Sequence, residues 1–453
     1  MRTVLLSEKY TELYREHERK ITMKKLLITS LLLSLVIMSG CSAAEKSSSE
    51  SVQDTTAASE TAAEAETTAE STTEEKKVYD YVHGEDGYYN IADEMTEFEM
   101  KSQQYGTCWL HAAAASMETA YFKKNGSYIS IDPMKLLDNT YLAEKNEGFF
   151  VKDGLDEKEL GGSQPIVTFS LSGGFDDLVL DSSVFLDKND RDSIKENIRK
   201  RGGVAIGILD SDKTKKGWFG TYRTINYKKD DNFDHDVTII GYDDHFPKDY
   251  FNEPASEDGA WITYNSSLGS ACYYYISYCA PLEYAISHSA TDKYGEVLSY
   301  DAGAEEDRYV KTGEWTNTAN VFHKSGKLAA VGTYNDFDEQ NIKIQIYSAD
   351  FNELLYSQDA VLDYRGYNTI DLDTPVDVSD FAVVISYEKS APVEGEDMEW
   401  CYGEIQYRTV SESGQSFVLL DDEWKDMTDS DIKKALNINF EPNNCCIKAL
   451  LAK

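Results

Sequence analysis

The chain runs to 453 residues, carries 81 Asp and Glu against 44 Lys and Arg, and has a formal net charge of -37. That length predicts two folded units plus tails. The acidic balance repels phosphate backbones, which argues against nucleic-acid binding, and it also keeps a chain soluble. Seven cysteines (Cys41, Cys108, Cys272, Cys279, Cys401, Cys445 and Cys446) are too sparse, and odd in number, for a disulfide scaffold.

Residues 1–22 are mixed in charge and precede a better start at Met23, so they read as an upstream extension of the reading frame. From Met23, MKKLLITSLLLSLVIMSGCS places two lysines before a short apolar run and small residues before Cys41. That is the signal-peptide pattern, and the run is too short to span a bilayer. The end of 23–41 resembles the bacterial lipobox, which implies cleavage before Cys41, lipid on its sulfur and anchoring to the outer face of a bacterial cell membrane. An ordinary signal peptide with an incidental cysteine is the alternative. Residues 42–77 are Ser, Thr, Ala and Glu. They cannot bury enough apolar surface to offset chain entropy, and a disordered tether is expected there.

Structure is expected from Val78. Cys108–Lys124 is alanine-rich and stops at Asn125-Gly126, as a buried helix would. Asp132-Pro133 open a second helix with a cap and a proline in the first turn. Asp190–Arg201 forms a third, with Ile194 and Ile198 on one face, and Gly202-Gly203 end it. Strands follow at 204–209, 236–242, 260–265 and 273–278. Helices first and strands later predict an α+β domain over 78–290. Beyond it come short strands at 327–334, 341–349, 380–388, 415–420 and 445–452, with Ile342, Ile344 and Ile346 alternating with polar neighbours. Residues 291–453 therefore predict an all-β sandwich. The acidic run 371–380 reads as a solvated loop in preference to a calcium site.

The sharpest local signal is QQYGTCW at 103–109. Gly106-Thr107 turn the chain so that Cys108 falls in a helix's first turn, where the dipole and unpaired N–H groups favour a thiolate. Thr107 can cap this helix and Trp109 can wall the site from bulk water. A buried cysteine opening a buried helix is the other reading. A cysteine nucleophile needs a base. His17 lies in the extension, His83 in the approach segment, His245 in a charged loop, and His288 and His323 at or beyond the domain's end. His111 shares a helix face with Cys108 and reads as cleft wall or core. His235 stands directly before the strand DVTIIGY, where it can project into a cleft. Asn265 ends AWITYN, and its amide can accept a histidine N–H. A loop histidine and a turn asparagine remain the plainer readings of these two.

Taken together, YGTCW opening a helix, H-x-V-x-I-x-G-Y from His235, GYDD at 241–244 and DGAW at 258–261 before the Asn265 strand resemble the papain-like cysteine peptidases, closest to their bacterial surface branch. The likeness covers roughly residues 95–285. It implies that Cys108 attacks the peptide carbonyl, His235 shuttles the proton and Asn265 orients the ring. It also implies that the Cys108 N–H and a glutamine amide bind the oxyanion. The usual glutamine position holds Ser102, so Gln103 takes that role by a one-residue deletion, with Gln104 beside it. Gly161 and Gly162 resemble the glycine pair lining the substrate cleft, with Trp109, although a simple turn would also use them. The tryptophan that normally follows the asparagine is absent from Asn265-Ser266-Ser267-Leu268-Gly269. No long helical prosegment is legible, so inhibition by a removable propeptide is not expected.

The C-terminal strands from 319 resemble a lectin-like β-sandwich found after bacterial papain-like peptidases, which implies a cell-surface glycan as ligand; a packing domain is the alternative. Cys272 and Cys279 have neither redox nor zinc spacing, and adjacent Cys445 and Cys446 must point to opposite faces. The expected activity is hydrolysis of a protein or peptide through a Cys108 thioester, with no cofactor and no metal. A weak or inactive surface adhesin and a surface transpeptidase using the same acyl-enzyme are the competing readings.

Overall fold

The computed structural model describes residues 81–84, 86–141, 147–210, 216–219, 222–228, 233–266, 272–303, 308–400 and 404–453. The extension, leader, Cys41 and tether fall outside these residues, as do Cys401, the side chain of Cys272 and residues 267–269 of the turn after Asn265.

Alanine and apolar residues on every side make α1 (Cys108–Asn125) a helix buried along most of its length. It ends where Gly126 turns left-handed at φ 68°, its N–H donating to the Phe122 carbonyl, with Lys123 and Lys124 at the negative dipole end. Asp132 caps α2 (Pro133–Thr140) by accepting from the Met134 N–H, as expected from Asp-Pro. A further helix absent from the sequence reading, α3 (Gln164–Leu171), packs against both. With α4 (Arg191–Lys200), Asp190 caps and Ile194 and Ile198 are buried.

The helices lie against one large sheet. Its peptidase-like part is β1 (Val179–Phe185), β2 (Val204–Ile208), β3 (His235–Asp243), β4 (Ala260–Asn265), β5 (Cys272–Ser277) and β6 (Ala285–Thr291), in the order β1–β6–β2–β3–β4–β5. Two hydroxyls fix α1 to it: Thr238 Oγ1 donates to the Ala112 carbonyl at 2.8 Å, and Ser116 Oγ to the Gly203 carbonyl at 2.7 Å.

The same sheet continues past β1 through β12 (Gly366–Val378), β9 (Gly326–Asn335), β16 (Ile447–Ala452) and β7 (Tyr294–Leu298). This extension faces a second sheet built on β11 (Leu354–Leu362), β10 (Gln340–Ser348), β13 (Phe381–Tyr387), β8 (Thr316–Phe322) and β15 (Ser416–Leu420). Ile342, Ile344 and Ile346 fill the space between with Val383, Ile385, Ile447 and Leu451. An α+β unit with a helical half and a β-rich half is thus followed by a β-sandwich. The acidic run is not wholly a loop: residues 371–378 belong to β12, with Leu372 buried and the acids facing outward. Cys445 points into the sandwich core and Cys446 into the core under the helices, the opposite faces that adjacent residues require.

Candidate active site

The approach segment delivers Cys108 along the end of β4. Tyr264 Oη sits between the Lys101 N–H and carbonyl at 2.8 and 2.9 Å, and the Gln103 N–H donates to the Ser266 carbonyl at 2.8 Å. Gln103 is buried; its Oε1 accepts from Ser266 Oγ at 2.7 Å and its Nε2 donates to the Tyr105 carbonyl at 2.9 Å. Gln104 faces solvent. Thr107 occupies the N-cap position of α1 but makes no side-chain cap bond, and its buried hydroxyl has no partner among the described residues.

Cys108 is a free, partly exposed thiol at the first position of α1. The backbone N–H groups of Asp236, Trp109 and Cys108 itself favour the charged form of its sulfur. Asp236 is next along the chain from His235, and Gln164 Nε2 ties its carboxylate to the Trp109 carbonyl, so the start of β3 lies against the first turn of α1. Burial foremost, and then the Asp236 carboxylate, push the thiol up to about 12 despite those N–H groups.

His235 opens β3 and Asn265, fully buried, closes β4. Their strands are neighbours, and His235 Nε2 lies 2.7 Å from Asn265 Oδ1. A carbonyl oxygen only accepts, so Nε2 carries the proton and Nδ1 keeps a lone pair. His111 is buried and donates Nδ1–H to the Thr107 carbonyl at 3.0 Å; burial holds its proton affinity down. It stands as a core residue of the helix.

Gly161 and Gly162 follow a short helical turn, and their chemistry differs from that of an open cleft. Gly161 adopts φ 87° and ψ -163°, a region open to glycine. Gly162 lies flat on the Trp109 indole: a Cβ there would come within 2.5 Å of the ring. Trp109 is itself 1% exposed, so it packs this wall from inside.

Five further residues, Asp236, Tyr284, Gln164, His288 and Ser183, gather here with little local signal. Asp236 Oδ1 accepts from Tyr284 Oη at 2.5 Å and Oδ2 from Gln164 Nε2 at 2.7 Å. Gln164 Nε2 also donates to the Trp109 carbonyl at 2.8 Å, and its Oε1 accepts from His288 Nε2 at 2.9 Å. Ser183 Oγ meets His288 Nδ1 at 2.8 Å. Burial pushes Asp236 up to about 7 and His288 down to about 3. His288, at a domain's end in the sequence, is at the centre of this network. The one available hint was an aspartate directly after His235, opening an otherwise apolar strand.

A helix opened by a cysteine, crossing a sheet in which a histidine and an asparagine pair from adjacent strands, is the fold of the papain-like cysteine peptidases, here joined to a lectin-like sandwich. Residues 297–450 match the family model of the Lectin like domain. Among solved structures, the clostridial cysteine protease Cwp84 after propeptide cleavage superposes with a TM-score of 0.64 at 18% identity, over 81% of this chain and 99% of that one. The cysteine protease and lectin-like domains of Cwp84, a surface layer associated protein of Clostridium difficile, give 0.64 at 17%, over 81% and 88%. No curated protein sequence matches the chain.

Proposed function

We propose that the chain is a cell-surface cysteine endopeptidase in which Cys108 is the nucleophile, His235 its base and Asn265 the residue that orients His235. The observation that carries this reading is the 2.7 Å contact between His235 Nε2 and Asn265 Oδ1. It leaves Nδ1 as the ring nitrogen able to take the thiol proton, on the strand whose next residue Gln164 ties to the first turn of α1. A neutral thiol gives up its proton to His235 as sulfur adds to the peptide carbonyl. The imidazolium returns that proton to the leaving amine, and water then hydrolyses the thioester. The Cys108 N–H and the second N–H of Gln103 Nε2 are the proposed oxyanion donors.

The lectin-like domain supports a glycan ligand, and the surface-layer association of Cwp84 supports a surface location, with lipid on Cys41 as the anchor. An epoxysuccinyl inhibitor should label Cys108 and abolish hydrolysis of a denatured protein substrate, and His235→Ala should slow both. A thiol inert to the inhibitor would leave the adhesin reading. Ligation of an added amine in preference to hydrolysis would make the chain a transpeptidase.

A further inference from the structure

Asp236 is a buried carboxyl that the peptidase cycle above does not use. It is 6% exposed, follows His235 on β3, and is among the groups that act on the Cys108 thiol. Its side chain is bound from two directions, by Tyr284 from the turn before β6 and by Gln164 from α3. Gln164 has the same amide nitrogen on the Trp109 carbonyl in the first turn of α1. One amide therefore clasps the helix that carries the nucleophile to the strand that carries the base. Gln164 is held in turn: its Oε1 can only accept, so His288 bears its proton on Nε2, and His288 Nδ1 accepts from the Ser183 hydroxyl. Gln164, His288 and Ser183 are each fully buried, so this arrangement is shielded from bulk solvent.

We propose that Asp236 is a positioning residue that clasps Cys108 to His235 through Gln164 and sets, by its own charge, the pH at which the Cys108 thiol becomes nucleophilic. The proposal rests on the peptidase reading and deepens it. The groups facing Asp236 are Cys108 from α1, Tyr284 and Glu283 from the turn before β6, Gln164 from α3, and His235 beside it, with His288 behind Gln164. Glu283 and Cys108 are like charges when ionised; Tyr284 and Gln164 donate to the carboxylate. An ionised Asp236 opposes a thiolate at Cys108, and a protonated one does not. The thiol is thus harder to ionise while Asp236 carries its charge than it would be beside a neutral side chain.

The test is the pH profile of Cys108 alkylation by iodoacetamide in the full chain, followed by peptide mass spectrometry. Asp236→Asn keeps the size and an acceptor for Gln164 but removes the charge. It should move the midpoint of the profile down by about one pH unit, without an equal loss of rate at every pH. Tyr284→Phe removes a donor that favours the carboxylate but leaves Asp236 ionised where the thiol titrates, so its midpoint does not move down. An unchanged midpoint in Asp236→Asn, or a uniform loss of rate in it, would overturn the proposal while leaving a His235-dependent Cys108 intact. A Cys108 that fails to react at any pH in the unaltered chain would overturn the peptidase reading along with it.

Discussion

Substituting Gly162 by alanine should damage the site through Trp109. The added Cβ would sit 2.5, 2.6 and 2.7 Å from Cε2, Cδ2 and Cζ2 of the indole, well inside van der Waals contact. The ring cannot retreat, because it is 1% exposed and meets Tyr141 edge-on at a centroid distance of 6.0 Å. Overpacking of this kind costs about 1–3 kcal/mol. Gly161→Ala is the control. No heavy atom but the Gly106 carbonyl oxygen, at 3.9 Å, approaches its Cβ, yet its φ of 87° and ψ of -163° make alanine strained by about 1–3 kcal/mol as well. The two variants should lose similar stability in urea. Only Gly162→Ala pushes on the residue after Cys108, and a displacement of about 1 Å at a nucleophile lowers kcat by about a hundredfold. Steady-state hydrolysis and inhibitor labelling of both variants decide the matter. Equal activity at equal stability would refute the idea that Gly162 is required by the indole beneath it.

Asn265→Ala removes the partner that fixes the His235 tautomer. A buried hydrogen bond of about 1–3 kcal/mol is lost, so kcat should fall about ten- to a hundredfold with KM little changed, measured by peptide hydrolysis. Glu394 gives a pH prediction in the second half of the chain. It is buried, accepts from Tyr407 Oη at 2.5 Å and from the Ala302 N–H at 2.9 Å, and is raised by burial from 4.5 to about 8. Its folded-state value exceeds its unfolded one, so its stabilising contribution is full below about 4.5 and is lost as pH rises through about 8. Urea midpoints from pH 5 to 9 should therefore decline less steeply in Glu394→Gln than in the unaltered chain, and parallel declines would count against it.

Residues at the ends of elements were the most legible in the sequence. Cys108, His235 and Asn265 each begin or end a helix or strand, and a boundary is marked by capping residues, glycine or a change of hydrophobic period. What escaped is polar and interior. The strand β1 reads VLDSSVF, and its serines look like a loop until Ser183 is seen holding His288 and Ser182 accepting from Arg201. In β12 the acids mask a strand because its exposed face carries them; Asp371, for one, pairs with Lys293. Gln164, Asp236 and the pair Tyr284 and His288 lie on three separate segments, and no periodicity within any one of them signals a shared hydrogen-bond chain. The packing of Trp109 against Gly162 is invisible for a related reason: the two are more than fifty residues apart in the chain.

The two halves share more than a linker, and this has a consequence for any attempt to separate them. β1 pairs with β6 on one side and with β12 on the other, so the sheet runs unbroken from the His235 strand into the sandwich. The core beneath α1, α2 and α3 includes Tyr334, Tyr367, Ile405, Tyr407 and Cys446, all from within the lectin-like region. Tyr334 Oη also donates to Ser172 Oγ at 2.7 Å, just past the end of α3. At about 1.5–3 kcal/mol for each large buried side chain, losing these five removes on the order of 10 kcal/mol. That is as much as the whole stability of an ordinary domain, about 5–15 kcal/mol. A chain cut after residue 296 should therefore lack a cooperative unfolding transition and any Cys108-dependent hydrolysis. Co-expressing 297–453 as a separate piece should restore both, because the missing contacts are side chains and strand pairs that need no covalent continuity. If the shortened chain unfolds cooperatively by itself and hydrolyses peptides at the rate of the full one, the lectin-like half is not part of the peptidase core.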